Sequence, residues 1–546
     1  MTFNNLSFDK KEIRPWTNRP MSHGTLVGHI TPDSCKIWVK VRQAASYTLE
    51  LSETADFSTL LPASISNNPL QISKDTLLTG VFNVTGLSPA SHYFYRVRCD
   101  SQADDGQIVS NVVLGHQLSR SFRTPDNTTP LSFALYSCHM PFKWRGFRKT
   151  VSVSSAIDCF EYLNDFHQRQ PFDFAIAAGD QVYTDGEKNV NIWDFLQRHK
   201  KQLHELPEAA QKQVMLSWYN DIYEGYWGFP ELQKFHSQVP HYMLWDDHEI
   251  MDGWGSLSAE QLECKLEDGF YESAIERAEN RTLMYRMFDC ASEAYFYYQH
   301  SHNPDTNVSV SMVQDTTTVP DRDWHFDTSH KNAAFFYMDV RGQKSHDEQA
   351  PNWQNQITLA GNRQITHLEQ FLNSNAAQQA DVLFIVSPVP FVHWKAFVMN
   401  IGDLINGVQD DVRDEWDHEN NAEERDKILD LVFDYAHQHH KKVVILSGDV
   451  HSSGLFRIHR KTNNAEVFQY TSSAITYTKL GPAKLIKAAA ATSGQLTQSD
   501  QFSYKRLSDV ETRNNFSRIT VEQQSVHFDL HAYDDDQLIT HKRISI

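Results

Sequence analysis

Basic residues are in short supply in this 546-residue chain, where 50 Lys and Arg stand against 69 Asp and Glu, a net charge of −19 with histidine neutral. That deficit argues against non-specific nucleic-acid binding, which needs a basic surface. Small phosphorylated substrates stay open, because a local field can oppose the net charge. Glycine and proline are also scarce, at 22 and 19 residues, which excludes collagen-like and low-complexity organisation. No apolar run reaches the roughly eighteen residues that a transmembrane helix needs. The opening MTFNNLSFDKKEIRPW has no continuous apolar stretch and no twin-arginine pair. It lacks the look of an export signal, so the expected location is cytoplasmic.

Only six cysteines occur, at positions 35, 99, 138, 159, 264 and 290, with no C-x-x-C pair and no dense framework. Cys35 and Cys99 both fall in strand-like segments and could face each other, but buried free thiols are the expectation for an intracellular chain. A G-x-S-x-G elbow is missing, which ranks a serine hydrolase low. No internal repeat marks the chain as a solenoid. What is present is apolar mass: 40% hydrophobic and 12% aromatic residues can bury large cores. The length allows two or three domains at roughly 100–200 residues each.

Residues 22–124 read as all-β. CKIWVKV, YTLELS, VFNVTGL and HYFYRVRC alternate or run in β-branched and aromatic residues between Asp, Ser, Pro and Gly. TGLSPASHYFYRVRC resembles the late hairpin of fibronectin type III-like sandwiches, with Tyr93 or Tyr95 as candidate corner hydroxyl. The turn-rich RTPDNTTP (123–130) suits a linker, which divides the chain into a β-sandwich over 1–128 and a second domain over 129–546. Beyond it, apolar strands alternate with helical segments, the pattern of an α/β core. Residues 423–436 predict a helix, and the tail from about 515 reads as a β-meander.

The chemistry lies where the strands end. LSFALYSCH (131–139), FDFAIAAGD (172–180), HYMLWDDHE (241–249) and KKVVILSGDVH (441–451) each run from an apolar strand into metal-competent side chains. These are Cys138; Asp180, with Tyr183 just beyond; Asp246, Asp247 and His248; and Asp449 and His451. Active sites of α/β folds collect at such strand ends, because several loops converge there. One Gly-Asp after a strand reads as a turn. Four such ends that also carry Cys, Tyr and two His are not explained by turn chemistry.

As a set, SC, GD-x-x-Y, WDDHE and GD-x-H resemble the calcineurin-like metallophosphoesterases, and more narrowly the PhoD-like alkaline phosphatase/phosphodiesterase family. The resemblance implies a metallophosphoesterase-type α/β sandwich core behind the fibronectin type III-like domain. It implies that Asp180 bridges two metal ions, that Cys138, Tyr183 and His451 complete the first site, and that Asp247 and Asp449 help hold the second. His248 would face the substrate phosphate as the catalytic residue. The implied reaction is hydrolysis of a phosphomonoester or phosphodiester at a binuclear metal centre.

Donor chemistry points the same way. Thiolate with phenolate favours a trivalent or soft metal such as Fe³⁺, whereas the oxygen-only second set suits a harder divalent ion, with Ca²⁺, Mg²⁺ and Mn²⁺ all open. The expected pair is Fe³⁺ with Ca²⁺, ahead of Mn²⁺, Mg²⁺ or Zn²⁺. Cys138 and His139 make a doubtful nucleophile pair, because neighbours on an extended segment point to opposite faces. By the same alternation Asp246 faces away from Asp247 and supports the structure. Tyr183 could simply pack, and His248 could orient Asp247 instead of touching substrate. A further strand-end His found in many metallophosphoesterases is missing from DVLFIVSPVPFVHW, where only the more distant His393 could substitute.

AAFFYMDVRGQKS offers Arg341 for substrate phosphate or for a salt bridge, and Arg145 and Arg148 are weaker candidates of the same kind. Segments 191–235 and 253–300 read as helical insertions walling a pocket, and 395–420 as part of a lid or a solvated loop. From another class, a calcium-dependent adhesion protein remains the rival reading, weakened by Cys138, a poor calcium ligand.

Overall fold

The computed structural model describes residues 23–62, 64–99, 120–145, 150–185, 191–267, 273–308, 322–345, 357–395, 412–463, 465–477, 487–534 and 537–546. Among the described residues eight strands build the first unit: β1 (Gly24–Ile30), β2 (Ser34–Lys40), β3 (Ala45–Ser52), β4 (Ser64–Ser66), β5 (Leu70–Ile72), β6 (Thr79–Thr85), β7 (His92–Cys99) and β8 (Ser121–Arg123). They pair into two four-stranded sheets, β1-β2-β6-β4 and β5-β3-β7-β8. Strict alternation in β7 turns Tyr93, Tyr95, Val97 and Cys99 inward. Tyr93 is the corner residue, its hydroxyl accepting from the Ser88 N–H at 2.8 Å, whereas the Tyr95 hydroxyl donates to the Ser237 carbonyl at 2.9 Å. Cys35 and Cys99 are separate buried thiols.

This sandwich is bonded to the rest of the chain. Trp38 donates to the Tyr297 carbonyl at 2.7 Å, Lys36 to the Asn303 carbonyl at 2.7 Å, and His29 bonds the Tyr242 hydroxyl at 3.0 Å. Trp38 also meets Trp227 edge to face, with ring centroids 5.7 Å apart. Aromatic area of this kind fixes one unit against the other.

Two larger sheets face each other in the second unit. The six-stranded one runs β13 (His241–Leu244), β12 (Phe174–Ala178), β9 (Leu131–Tyr136), β22 (Asn514–Glu522), β23 (Ser525–Asp534) and β24 (Gln537–Ser545). The eight-stranded one includes β15 (Ala333–Tyr337), β16 (Val382–Val386), β17 (Lys442–Ser447) and β19 (Glu466–Thr471), which are parallel. Strands β9, β12 and β16 are buried at every position, as expected of sheets covered on both faces. Phe133 from one sheet meets Phe335 and Phe384 from the other edge to face, at 5.4 and 5.5 Å, so the core lies between the sheets. The predicted helix spans Ala422–His439, begins with Glu423 and Glu424, and ends on His440 in the left-handed conformation. It covers the eight-stranded sheet through Ile428, Leu429 and Val432.

Register carries the consequence for function. Ala177 on β12 pairs with Tyr136 on β9, and Ala178 pairs with Leu244 on β13. Three parallel strands therefore stop at one level. Among the described residues no helix is long and apolar enough to cross a membrane.

Candidate metal centre

Two residues past each strand end the chain delivers a donor: Cys138 after Tyr136, Asp180 after Ala178, Asp246 after Leu244 and Asp449 after Ser447. Cys138, Asp180, Asp449 and His451 all hold left-handed backbone, with φ of 57, 58, 62 and 48°. That region costs a non-glycine residue on the order of 1–3 kcal/mol and is retained where function demands it. It turns the side chains out of the strand direction and toward one another. Glycine makes the close approach possible. A Cβ on Gly179 would lie 2.8 Å from the Asp246 Cβ, and one on Gly448 would lie 2.4 Å from the Ala178 carbonyl oxygen.

Donor atoms of Cys138, Asp180 and His451 lie within 4.8 Å of one another, as do those of Asp180, Asp247 and His248, and those of Asp180, Asp246 and Asp449. Asp180 belongs to all three groups. Its Oδ2 sits 3.4 Å from the Cys138 sulfur and accepts from the Tyr183 hydroxyl at 3.1 Å, while its buried Oδ1 has no hydrogen-bond partner. The Tyr183 hydroxyl also lies 3.1 Å from His451 Nε2. Ser473 places its hydroxyl 3.1 Å from the Cys138 sulfur. The structure thus gathers Cys138, Asp180, Tyr183, Asp247, His248, Asp449 and His451 into one neighbourhood.

His248 is oriented by Asp185, whose Oδ1 accepts from Nδ1 at 2.7 Å. Nε2 is therefore the nitrogen left for other partners. Asp247 accepts from the N–H groups of His248 at 3.0 Å and Gly253 at 2.7 Å. Glu249 ties the loops together, accepting from the N–H groups of Asp180 at 3.1 Å, Gln181 at 2.6 Å and Asp246 at 2.8 Å. His248, Asp449 and His451 are half-buried and mark the open side, where Tyr477 stacks on the His451 ring at 3.6 Å.

Charge and burial set what such a cluster can hold. Burial pushes the Asp180, Asp449 and Cys138 acids well above their ordinary ranges, and the neighbouring carboxylates add to it. Burial likewise drives Tyr183 up, helped by Asp180 and Cys138. Burial also acts against Asp247, yet His248 and Arg341 hold it at about 2. His248 is held well above the usual imidazole value, against burial, by Asp185, Asp247 and Asp180. His451 is depressed to about 3 by burial and by His248, so it is a neutral donor. Partnerless carboxylate oxygen beside thiol, phenol and neutral imidazole is a donor set that fits metal ions.

Arg341 lies beneath this layer, 0% exposed. Its Nε donates to Asp246 Oδ1 and its Nη1 to Asp414 Oδ2 at 2.6 Å, and Nη2 stands 3.7 Å from Asp247. Lys344 pairs with the same Asp414. Of the two roles open to Arg341 in the sequence, the salt bridge is the one its contacts describe. His393 points elsewhere, its Nε2 bonded to Ser452 at 2.7 Å. Arg148 and residues 396–411 lie outside the described residues, as does the side chain of Arg145. Asp414, Glu415, Trp416 and Asp417, from the end of the acidic segment, are buried and not solvated.

Asp246 departs from expectation. Asp246 itself is still extended, and only from Asp247 does the chain coil into a 3-10 turn, so the two carboxylates reach Asp180 in different groups, Asp246 with Asp449 and Asp247 with His248. Both carboxylates of the WDDHE motif can therefore approach Asp180. Sequence reasoning missed Asp185, although its place five residues after Asp180 was a signal. Nothing in the sequence marked Tyr477 or Ser473.

Two facing mixed sheets with donor-bearing loops at one end define a metallophosphoesterase-type α/β sandwich behind a β-sandwich domain. Residues 133–530 match the family model of the PhoD-like phosphatase, and residues 8–113 match that of the PhoD-like phosphatase N-terminal domain. The chain belongs to the PhoD-like phosphatase family. The solved structure titled "Structure of PhoD" superposes with a TM-score of 0.60 at 15% identity, over 97% of this chain and 90% of that one, and so shares the fold. A purple acid phosphatase, PPD1 from yellow lupin (Lupinus luteus) seeds, gives a TM-score of 0.48 at 10% identity, over 97% and 75%. Among curated proteins, the "Uncharacterized protein YGR266W" of Saccharomyces cerevisiae is 24% identical over 396 residues, 62% of this chain. The match spans 53% of that relative's length. The family match and the donor clusters agree on a site whose residues can hold metal ions.

Proposed function

We propose that the chain hydrolyses phosphate esters at a binuclear centre bridged by Asp180, with Cys138, Tyr183 and His451 on the first cation, suited to Fe³⁺. Asp247 and Asp449 serve a second, oxygen-coordinated divalent cation such as Ca²⁺. The observation that carries this reading is the sharing of Asp180 among three donor groups. When bound, the two cations supply Lewis-acid activation of water and neutralise charge on the phosphoryl group.

The protein's own groups do the rest. Asp185 fixes the His248 ring through Nδ1 and keeps it protonated with Asp247 and Asp180, so Nε2–H can donate to a phosphoryl oxygen or hand its proton to the leaving oxygen. Tyr183 lies against the His248 ring, centroids 4.0 Å apart, and limits its rotation. Arg341 holds Asp246 from below and leaves the substrate side to His248. The calcium-dependent adhesion reading finds no support in a donor set that includes Cys138 and His451.

Asp180→Asn tests the proposal with mono- and bis-nitrophenyl phosphate side by side. Turnover should fall by about 100-fold or more, and metal content should drop while the β-sandwich domain stays folded. Retained turnover would refute the bridging role.

A further inference from the structure

We infer that Asp246 is itself a ligand of the second cation, binding through Oδ2 alone while Arg341 holds Oδ1. The inference deepens the two-cation reading above and rests on it.

Three independent observations converge. Asp246 occupies the same step beyond its strand that Cys138, Asp180 and Asp449 occupy beyond theirs, and β12 and β13 are in register at Ala178 and Leu244. Its carboxylate is 0% exposed, and Oδ2 has no hydrogen-bond partner. A donor atom of Asp246 lies within 4.8 Å of donors on Asp180 and Asp449, and Asp180 Oδ1 is partnerless too.

A buried carboxylate oxygen without a partner is costly, and natural structures keep one only for a reason. Ionised carboxylates cannot satisfy one another, since each offers acceptors only. Oxygens at about 2.3–2.6 Å from one shared ion stand no more than about 5 Å apart, and the donor atoms of Asp180, Asp246 and Asp449 lie within 4.8 Å of one another. Arg341 assigns the two oxygens different duties. Its Nε occupies Oδ1, which leaves Oδ2 as the oxygen without a partner. The backbone is pinned from the other side by Glu249, which holds the N–H groups of both Asp180 and Asp246. A fourth carboxylate beside Asp180, Asp247 and Asp449 makes the second site all-oxygen and strongly anionic, the environment of a hard divalent cation.

The test uses full-length protein, stripped with chelator and titrated with Ca²⁺ or Mn²⁺ by calorimetry, with metal content measured after dialysis. Asp246→Asn keeps the acceptor for Arg341 and removes the charge at Oδ2. It should weaken the second cation by on the order of 10–100-fold or more, while the visible absorption of the first metal is unchanged. Wild-type affinity in the variant would overturn the assignment and leave the two-cation reading intact. A wild-type protein that takes up one cation only would overturn both. Should the variant fold poorly, a Mn²⁺-loaded crystal of the wild type decides the matter. An anomalous peak within about 2.6 Å of Asp246 Oδ2 supports the assignment, and a peak bound to the other carboxylates but beyond hydrogen-bond distance of that oxygen overturns it.

Discussion

Replacing Arg341 by methionine keeps the aliphatic stem and deletes one guanidinium from beneath the metal centre. Two carboxylates lose a partner: Asp246, 0% exposed, and Asp414, 3% exposed. Asp414 retains Lys344. Among the described residues Asp246 retains no cation as close, so the damage concentrates there. Removing one partner of a buried ion pair typically costs about 3–5 kcal/mol, because the other charge stays buried and alone. We expect about 3 kcal/mol in the metal-free protein, read as a lowered urea midpoint. Adding the second cation should recover part of that loss, since it supplies positive charge to the same carboxylate. The double variant Arg341→Met, Asp246→Asn should be more stable than additivity allows by about 2 kcal/mol, because the orphaned charge is gone. A single variant within about 0.5 kcal/mol of wild type, or strict additivity, would refute the account of Arg341 as the counter-charge of Asp246.

Gly179→Ala would put a Cβ 2.8 Å from the Asp246 Cβ and 3.2 Å from the Pro388 Cβ, at a φ of +90°. Overpacking of about 1–3 kcal/mol and lost metal uptake are expected, and thermal shift with metal analysis checks both; normal uptake would count against the close-approach argument. Acid should destabilise the fold through buried histidines. Burial lowers His241, His300 and His330 from 6.5 to about 3, and each has a ring nitrogen without a partner. Below pH 6.5 the unfolded chain takes up protons that the folded chain refuses, so stability falls as pH drops. At pH 5.5 these three groups remove about 4 kcal/mol together. A urea midpoint equal at pH 7.5 and 5.5 would contradict this.

The strands were legible because their physics is local. LSFALY, FAIAA and VLFIV are apolar but for Ser132 and buried at every position, and only a sheet covered on both faces buries such runs whole. The motif residues were legible because Cys, Tyr and His after a strand have no use as turn formers. The helix Ala422–His439 announced itself by acids at its start and apolar spacing along it. Strand alternation left Asp246 as a supporting residue, and its bond to Arg341 agrees, but its nearness to Asp180 and Asp449 is tertiary and no alternation rule reaches it.

Arg341 shows the other boundary. Its position after an apolar strand left phosphate binding and a salt bridge equally open, and packing decided, by sealing the guanidinium between Asp246 and Asp414. The partners Asp185, Ser473 and Tyr477 reach the site only through folding, and Ser473 and Tyr477 belong to no motif. By itself the sequence determined which donors exist and that strand ends present them, since both follow from residue type and hydrophobic pattern. Only the tertiary structure decided which donor atoms face one another and which are already bonded. Those facts depend on contacts between residues as far apart as Cys138 and Asp449, which no local rule encodes.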